Sequence, residues 1–164
     1  LGEVEGRYDL IMFHHSFEHL PDPEVALREA LERLTPRGRV LIRMPTPSSY
    51  AFETYGAAWV QLDAPRHLVL FSRGGLGSLC ERVGGTVMSV DDDSTGFQFW
   101  GSEQCQRHIP LMAARSVFVS PRDAPFTKAQ LRDWERQSGT LNQAGRGDQA
   151  AWVIGNRVPS PAPT

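Results

Sequence analysis

The sequence predicts an α/β domain built around a pair of parallel strands, and three observations carry that expectation. Tyr8 to His14 (YDLIMFH) is a nearly continuous apolar run of strand length, the pattern of a strand buried on both faces of a sheet. Asp22-Pro23-Glu24 then opens a helix with a capping side chain, a proline at the first helical position and an acid in the first turn. A second apolar run, Arg39 to Met44 (RVLIRM), follows that helix and is stopped by Pro45 and Pro47. Strand, helix and strand in so short a span make a right-handed crossover, and hence a parallel pair.

The helix after Asp22 is amphipathic, with Leu27, Ala30, Leu31 and Leu34 on its apolar side and Glu24/Arg28 and Glu29/Arg33 as i,i+4 pairs on the wet side. Thr35-Pro36-Arg37-Gly38 has the composition of a turn. Thr46 to Phe71 is a long irregular stretch, and loops of that length inside a compact domain are usually functional. Ser72 caps a weaker helix through Leu76, Leu79, Cys80 and Val83, which Gly84-Gly85 ends, and Thr86 to Val90 is a third strand. Gly96 to Ala114 and Thr127 to Leu141 read as two helices, and Ala150 to Ile154 (AAWVI) as a short last strand. Residues 1–158 are therefore expected to form one domain, with a matching core over 8–94, a helical insertion over 96–147 and the last strand at 150–154. Residues 159–164 are expected to be a disordered tail.

Composition excludes several classes of function. A net charge of −2, with no local cluster of lysine and arginine, leaves no footprint for a nucleic-acid backbone. No apolar run approaches the roughly 20 residues that cross a bilayer, and no secretory segment opens the chain. No nucleic acid and no membrane partner is expected, and the default location is cytoplasmic. Cys80 and Cys105 are too few and too isolated for a disulfide framework and read as reduced structural thiols.

Three blocks taken in order, YDLIMFHHSFEHLPDP, LERLTPRGRVLIRMP and WVQLDAPRHLVLFS, resemble the second half of class I S-adenosylmethionine-dependent methyltransferases of the ubiquinone-biosynthesis-like, type 11/23 group. The resemblance implies the C-terminal half of a Rossmann-like sheet: parallel strands, an antiparallel last strand, the last two strands paired at one edge, and a helical insertion. It implies methyl transfer from S-adenosyl-L-methionine to a small-molecule acceptor by a longer, bacterial parent. The family's glycine-rich loop and the acid that takes the ribose have no counterpart here. The chain is therefore expected to be a fragment, inactive and binding the cofactor weakly or not at all by itself. With its usual neighbour missing, Tyr8 to His14 becomes a bare apolar edge, and self-association through it is expected.

In open α/β sheets ligands bind beyond the carboxyl ends of the strands, which selects the segment after the first strand. The resemblance implies that His14, His15, Ser16 and Phe17 line the cofactor, with Glu18 and His19 nearer the acceptor. The alternative is that Glu18 and His19 only orient the loop and cap the next helix. His67 is the candidate base for a proton leaving the acceptor, a role that an imidazole titrating near neutrality suits. Its alternative is a hydrogen bond to backbone, with Arg66 paired to Asp63. Trp59, Tyr55 and Arg66 are candidate acceptor-binding residues, although loop aromatics also serve as anchors.

His15, Glu18 and His19 raise the question of a metal. A zinc protease needs His-Glu-x-x-His on a helix, and this order differs, so no metal ligand set is assigned, while the resemblance leaves open a weakly held divalent ion at Glu18 and His19. Gly74-Gly75-x-Gly77 lacks the preceding strand and following lysine of a phosphate loop, Asp91-Asp92-Asp93 reads as a solvated strand exit, and Cys105 and His108 read as core. The rival functions are a non-catalytic association module, a metal-dependent hydrolase using His15, Glu18 and His19, and, behind both, a dinucleotide-binding oxidoreductase.

Overall fold

Four strands form a single sheet in the computed structural model, which describes residues 5–157. β1 (Tyr8–His14), β2 (Leu34–Pro45), β3 (Gly85–Asp92) and β4 (Gln149–Asn156) lie in the order β1-β2-β4-β3. β1 and β2 are parallel, as the crossover argument requires, and β4 runs antiparallel to both of its neighbours. The last two strands do pair, but β4 is inserted beside β2 and leaves β3 at the edge. The expected disordered tail at 159–164 and the first residues of the opening polar turn lie outside the described residues.

α1 (Pro23–Glu32) forms because its start is capped and its apolar side can be buried. The Asp22 carboxylate accepts from the Val25 N–H at 3.0 Å, and Leu27, Ala30 and Leu31 are buried. After α2 (Tyr50–Tyr55) in the long connection, α3 (Arg73–Arg82) adds Leu76, Leu79 and Cys80 to the same layer. Together α1 and α3 cover one sheet face, where Val40, Ile42 and Met44 of β2 meet Ala150, Trp152 and Ile154 of β4. The other face carries Leu10, Met12 and Met88, each more than half exposed. β1 is apolar on both faces, yet the described residues supply helices to only one.

Several boundaries depart from the sequence reading. β2 begins at Leu34, so Thr35 to Gly38 belongs to the strand and not to a turn, and an irregularity between Tyr8 and Leu10 absorbs the extra length. Gly38 is needed there: a Cβ on it would lie 2.6 Å from the Tyr8 carbonyl oxygen. The long connection after β2 is more ordered than its composition implied, holding α2 capped by Ser49 and two short 3-10 turns, Gly56–Ala58 and Val60–Leu62.

The helix expected over Gly96 to Ala114 is α4 (Phe97–Gln106) and stops early, where His108 takes a positive φ of 52° and Pro110 follows. α5 (Lys128–Gln143) starts with Thr127 and Gln130 capping each other's backbone N–H groups. Ring contacts hold this segment together, with Phe99 stacked on Trp134 and Phe126 edge-on to Trp134. The acidic run is no solvated exit, because Asp92 pairs with Arg73 at 2.5 Å and accepts from the Gly147 N–H, while Asp93 pairs with Arg43 at 2.5 Å. Cys80 is buried as read, but Cys105 and His108 are at the surface and not in the core; both cysteines are free.

Candidate functional site

The carboxyl ends of β1 and β2 and the connection after β2 converge on one cluster. At the end of β1, His15 adopts a positive φ of 47°, which turns the chain sharply into a 3-10 turn, Phe17–His19. That turn drives Phe17 into the core against Phe13 and Phe71, so Phe17 is fully buried and offers no surface to a ligand. Glu18 is carried inward beside it and is likewise fully buried. His14, exposed, and His15, half-buried, remain at the strand end with their rings edge to face.

Arg43 of β2 organises those two imidazoles. It donates to Nε2 of His14 at 3.3 Å and makes a short contact to Nε2 of His15, while its Nε holds Asp93. A guanidinium has only donors, so the His15 proton must sit on Nδ1, which faces Glu18 Oε1 at 3.5 Å. At that length the contact is an ion-pair approach and not a good hydrogen bond, and both carboxylate oxygens of Glu18 lack a hydrogen-bond partner. Burial pulls the Glu18 carboxyl upward, but the His15 contact, its own backbone and the nearby charges of His15 and His67 outweigh burial and bring it below its ordinary 4.5.

His67 reaches the same carboxylate from the connection after β2. The Leu68 and Val69 N–H groups donate to the Glu18 carbonyl at 2.9 and 3.2 Å, which fixes the loop against the turn. His67 Nδ1 lies 2.7 Å from the Gln61 carbonyl, and His19 Nδ1 lies 2.7 Å from the Arg66 carbonyl. A carbonyl can only accept, so both Nδ1 atoms carry protons, which leaves Nε2 as the ring atom open to exchange a proton or a ligand. His67 Nε2 stands 3.9 Å from Glu18 Oε1 and 3.9 Å from Asp63 Oδ2, and the two rings are 5.0 Å apart. Ligand atoms of Glu18, His19 and His67 all lie within 4.8 Å of one another.

An open cleft of about 530 Å³ lies against this cluster, lined by Trp59, Val60, Asp63, His67, Phe97 and Leu111 among others. The residues singled out in the sequence divide around it. His67 and Arg66 line it, with Arg66 exposed and paired to Asp63 at 2.5 Å. Trp59 forms part of its wall while anchored below, since its indole N–H donates to Asp148 at 3.0 Å in the interior. Tyr55 does not line it; its hydroxyl donates to Glu103 of α4 at 3.3 Å, and burial together with Glu103 raises its ionisation well above the ordinary value. Ser16 is half-buried at the foot of the turn, where its carbonyl accepts from the His19 N–H.

Sequence reasoning missed Arg43, Asp148 and the α4 wall of the cleft. Arg43 reads as one more polar residue in a strand, and Asp148 as a loop acid. Burial pushes the Asp148 carboxyl up, aided by Asp93, against the hydrogen bonds from Trp59, Ser94 and its own backbone. No spacing pattern connects residues 59 and 148.

The match to a family model of the Methyltransferase domain, type 23, covers residues 2–90, and the chain belongs to that family. None of the curated proteins matches the sequence. Among solved structures, the fold is similar to that of a possible histamine N-methyltransferase from Thermotoga maritima, with a TM-score of 0.52 and 13% identity, covering 95% of this chain and 59% of that one. It is similar to the [4+2]-cyclase SpnF, with a TM-score of 0.53 and 18% identity, covering 97% and 53%. It is also similar to the mycolic acid cyclopropane synthase CmaA1 complexed with SAH and CTAB, with a TM-score of 0.50 and 16% identity, covering 93% and 57%. The chain thus spans little more than half the length of these structures.

The group this family implies is S-adenosylmethionine. The end of β1 offers such a group two imidazoles and a hydroxyl, His14, His15 and Ser16, while of the nearby carboxylates Asp93 is paired with Arg43 and Glu18 is fully buried, so neither is free to take ribose hydroxyls.

Proposed function

We propose that the protein catalyses transfer of a methyl group from S-adenosylmethionine to a small-molecule acceptor, and that this chain supplies the acceptor end of the site and one wall of the cofactor's. The observation that carries the reading is the His67 imidazole, oriented by a backbone carbonyl, with its Nε2 directed toward a buried carboxylate at the mouth of a cleft. The cofactor, when bound, supplies an electrophilic methyl group. His14, His15 and Ser16 flank its methionine end. Phe97, Leu111 and Trp59 give the acceptor an apolar wall that sheds water, and Arg66 and Asp63 set a polar rim. His67 Nε2 receives the proton that the acceptor hydroxyl or amine gives up as it is methylated, and the Glu18 carboxylate stabilises the resulting imidazolium. Alignment and one base suffice for such a displacement.

The sequence holds no glycine-rich loop ahead of β1, so the chain alone binds the cofactor poorly in this reading, and its bare β1 edge drives self-association. The test is methyl transfer from labelled S-adenosylmethionine to a panel of hydroxyl and amine acceptors by the protein of the full gene. His67→Ala should lower kcat by about 10²–10⁴-fold, with KM for the acceptor little changed. Equal turnover by the variant would remove His67 from the chemistry, and no transfer to any acceptor would remove the function.

A further inference from the structure

We propose that Asp148 and Ser102, acting through the short turn Val60–Leu62, are positioning residues that aim the His67 imidazole into the cleft. The inference rests on the reading of His67 as the base. Among the described residues the His67 ring makes one hydrogen bond, from Nδ1 to the Gln61 carbonyl at 2.7 Å. Its Nε2 stands 3.9 Å from an oxygen of Glu18 and 3.9 Å from one of Asp63, too far for either carboxylate to orient it by hydrogen bonding. The nitrogen that carries the proton, and the direction in which the other one points, are therefore set by where the Gln61 carbonyl sits.

Gln61 is the middle residue of that 3-10 turn, and the two residues before it are pinned from outside the loop. The Trp59 indole N–H donates to Asp148 Oδ2 at 3.0 Å, with both side chains buried. Asp148 is held in turn by its own backbone, since its carbonyl accepts from the Thr46 N–H at 2.8 Å, where β2 has just ended and β4 is about to begin. The Val60 N–H donates to the fully buried Ser102 hydroxyl of α4 at 3.1 Å, which satisfies a backbone donor that the turn itself leaves open. Gly101 lets α4 come this close, because a Cβ there would lie 3.0 Å from Val60 Cγ1. Sheet and helix thus fix Trp59 and Val60, and through them the carbonyl that orients the imidazole. Asp148 and Ser102 both lie beyond residues 2–90, the part that the family model matches, so the orientation of the base is supplied by the helical segment and the approach to the last strand. A catalytic group needs such support, since a displacement of about 1 Å costs on the order of 10²-fold in rate.

A positioning role and a merely structural one predict different outcomes. Asp148→Asn keeps an oxygen that accepts the indole N–H, and Asp148→Leu removes it. Ser102→Ala removes the acceptor of the Val60 N–H and carries the test if Asp148→Leu fails to fold. Long-range proton–nitrogen NMR of the imidazoles, on the chain itself at a pH where the rings are neutral, reads the His67 tautomer without any turnover. Wild type and Asp148→Asn should show the Nδ1–H tautomer alone, and Asp148→Leu and Ser102→Ala a mixture of the two. In methyl transfer, Asp148→Leu and Ser102→Ala should each lower kcat by about 10- to 10²-fold with the acceptor KM little changed, while Asp148→Asn keeps most of the wild-type kcat. Asp148→Leu combined with Trp59→Phe should lose no more than the larger single loss, because both changes cut the same contact. A single tautomer in every folded variant, or equal losses in Asp148→Asn and Asp148→Leu, overturns the positioning role. Mixed tautomers in Asp148→Leu with unchanged kcat uphold the positioning of the ring and overturn instead the reading of His67 as the base.

Discussion

Glu18 shows how one side chain couples folding to function. Its carboxyl lies below its ordinary 4.5 in the folded chain, so the fold favours the ionised form. The associated stability is fully present above that ordinary value and is lost as pH falls through the lowered folded value. Glu18→Gln should therefore flatten the acid limb of a Tm-against-pH curve measured without added metal. Identical acid limbs in wild type and variant would contradict the charge pairing assigned to this residue. His15, His67 and the two backbone N–H groups of Leu68 and Val69 all bear on Glu18, and this explains why a segment so close to β1 organises a loop from beyond β2.

At the scale of elements, two packing points decide whether the cleft keeps its shape. Trp59→Phe removes the donor to Asp148 and leaves a buried carboxyl without that partner, which should cost about 1–3 kcal/mol in chemical denaturation. Gly38→Ala forces a Cβ against the Tyr8 carbonyl and should cost a similar amount, about 1–3 kcal/mol, by spreading β1 from β2. Wild-type midpoints in either variant would show that the contact is not structural. Patterns confined to one element were legible in the sequence: the apolar period and cap of α1, the strand-length apolar run of β1, and the start of α5 at Thr127. Burial of β1 on both faces was not met, since Leu10 and Met12 are exposed. Boundaries set by a neighbour were not legible. β2 extends through a proline and a glycine because Tyr8 pairs with Leu34, and α2 lies in a stretch too short and too aromatic to show a period. The candidate residues themselves, His67 and the His14 to His19 segment, stood out through the resemblance. Arg43 and Asp148 did not, because their partners lie 28 to 89 residues away and hydrogen-bond pairing leaves no mark in spacing.

The whole molecule is a sheet covered on one side. Leu10 and Met12 are 56% and 55% exposed on the uncovered face of an edge strand. If that surface drives association of the isolated chain, Leu10→Lys combined with Met12→Lys should shift sedimentation toward monomer, and an unchanged distribution would place the interface elsewhere. The same bare face is where a doubly wound sheet would carry its second helical layer, and the same edge is where its remaining strands would pair. In the proposed function Glu18, His19 and His67 form the acceptor end of the site, and the residues of this chain leave most of the cofactor's polar groups without a partner. The measurement that tests this most directly is calorimetric titration of S-adenosylhomocysteine into this chain and into the full gene product. The account predicts micromolar binding by the full protein and none measurable by the chain alone; micromolar binding by the chain, or silence from the full protein, would contradict it.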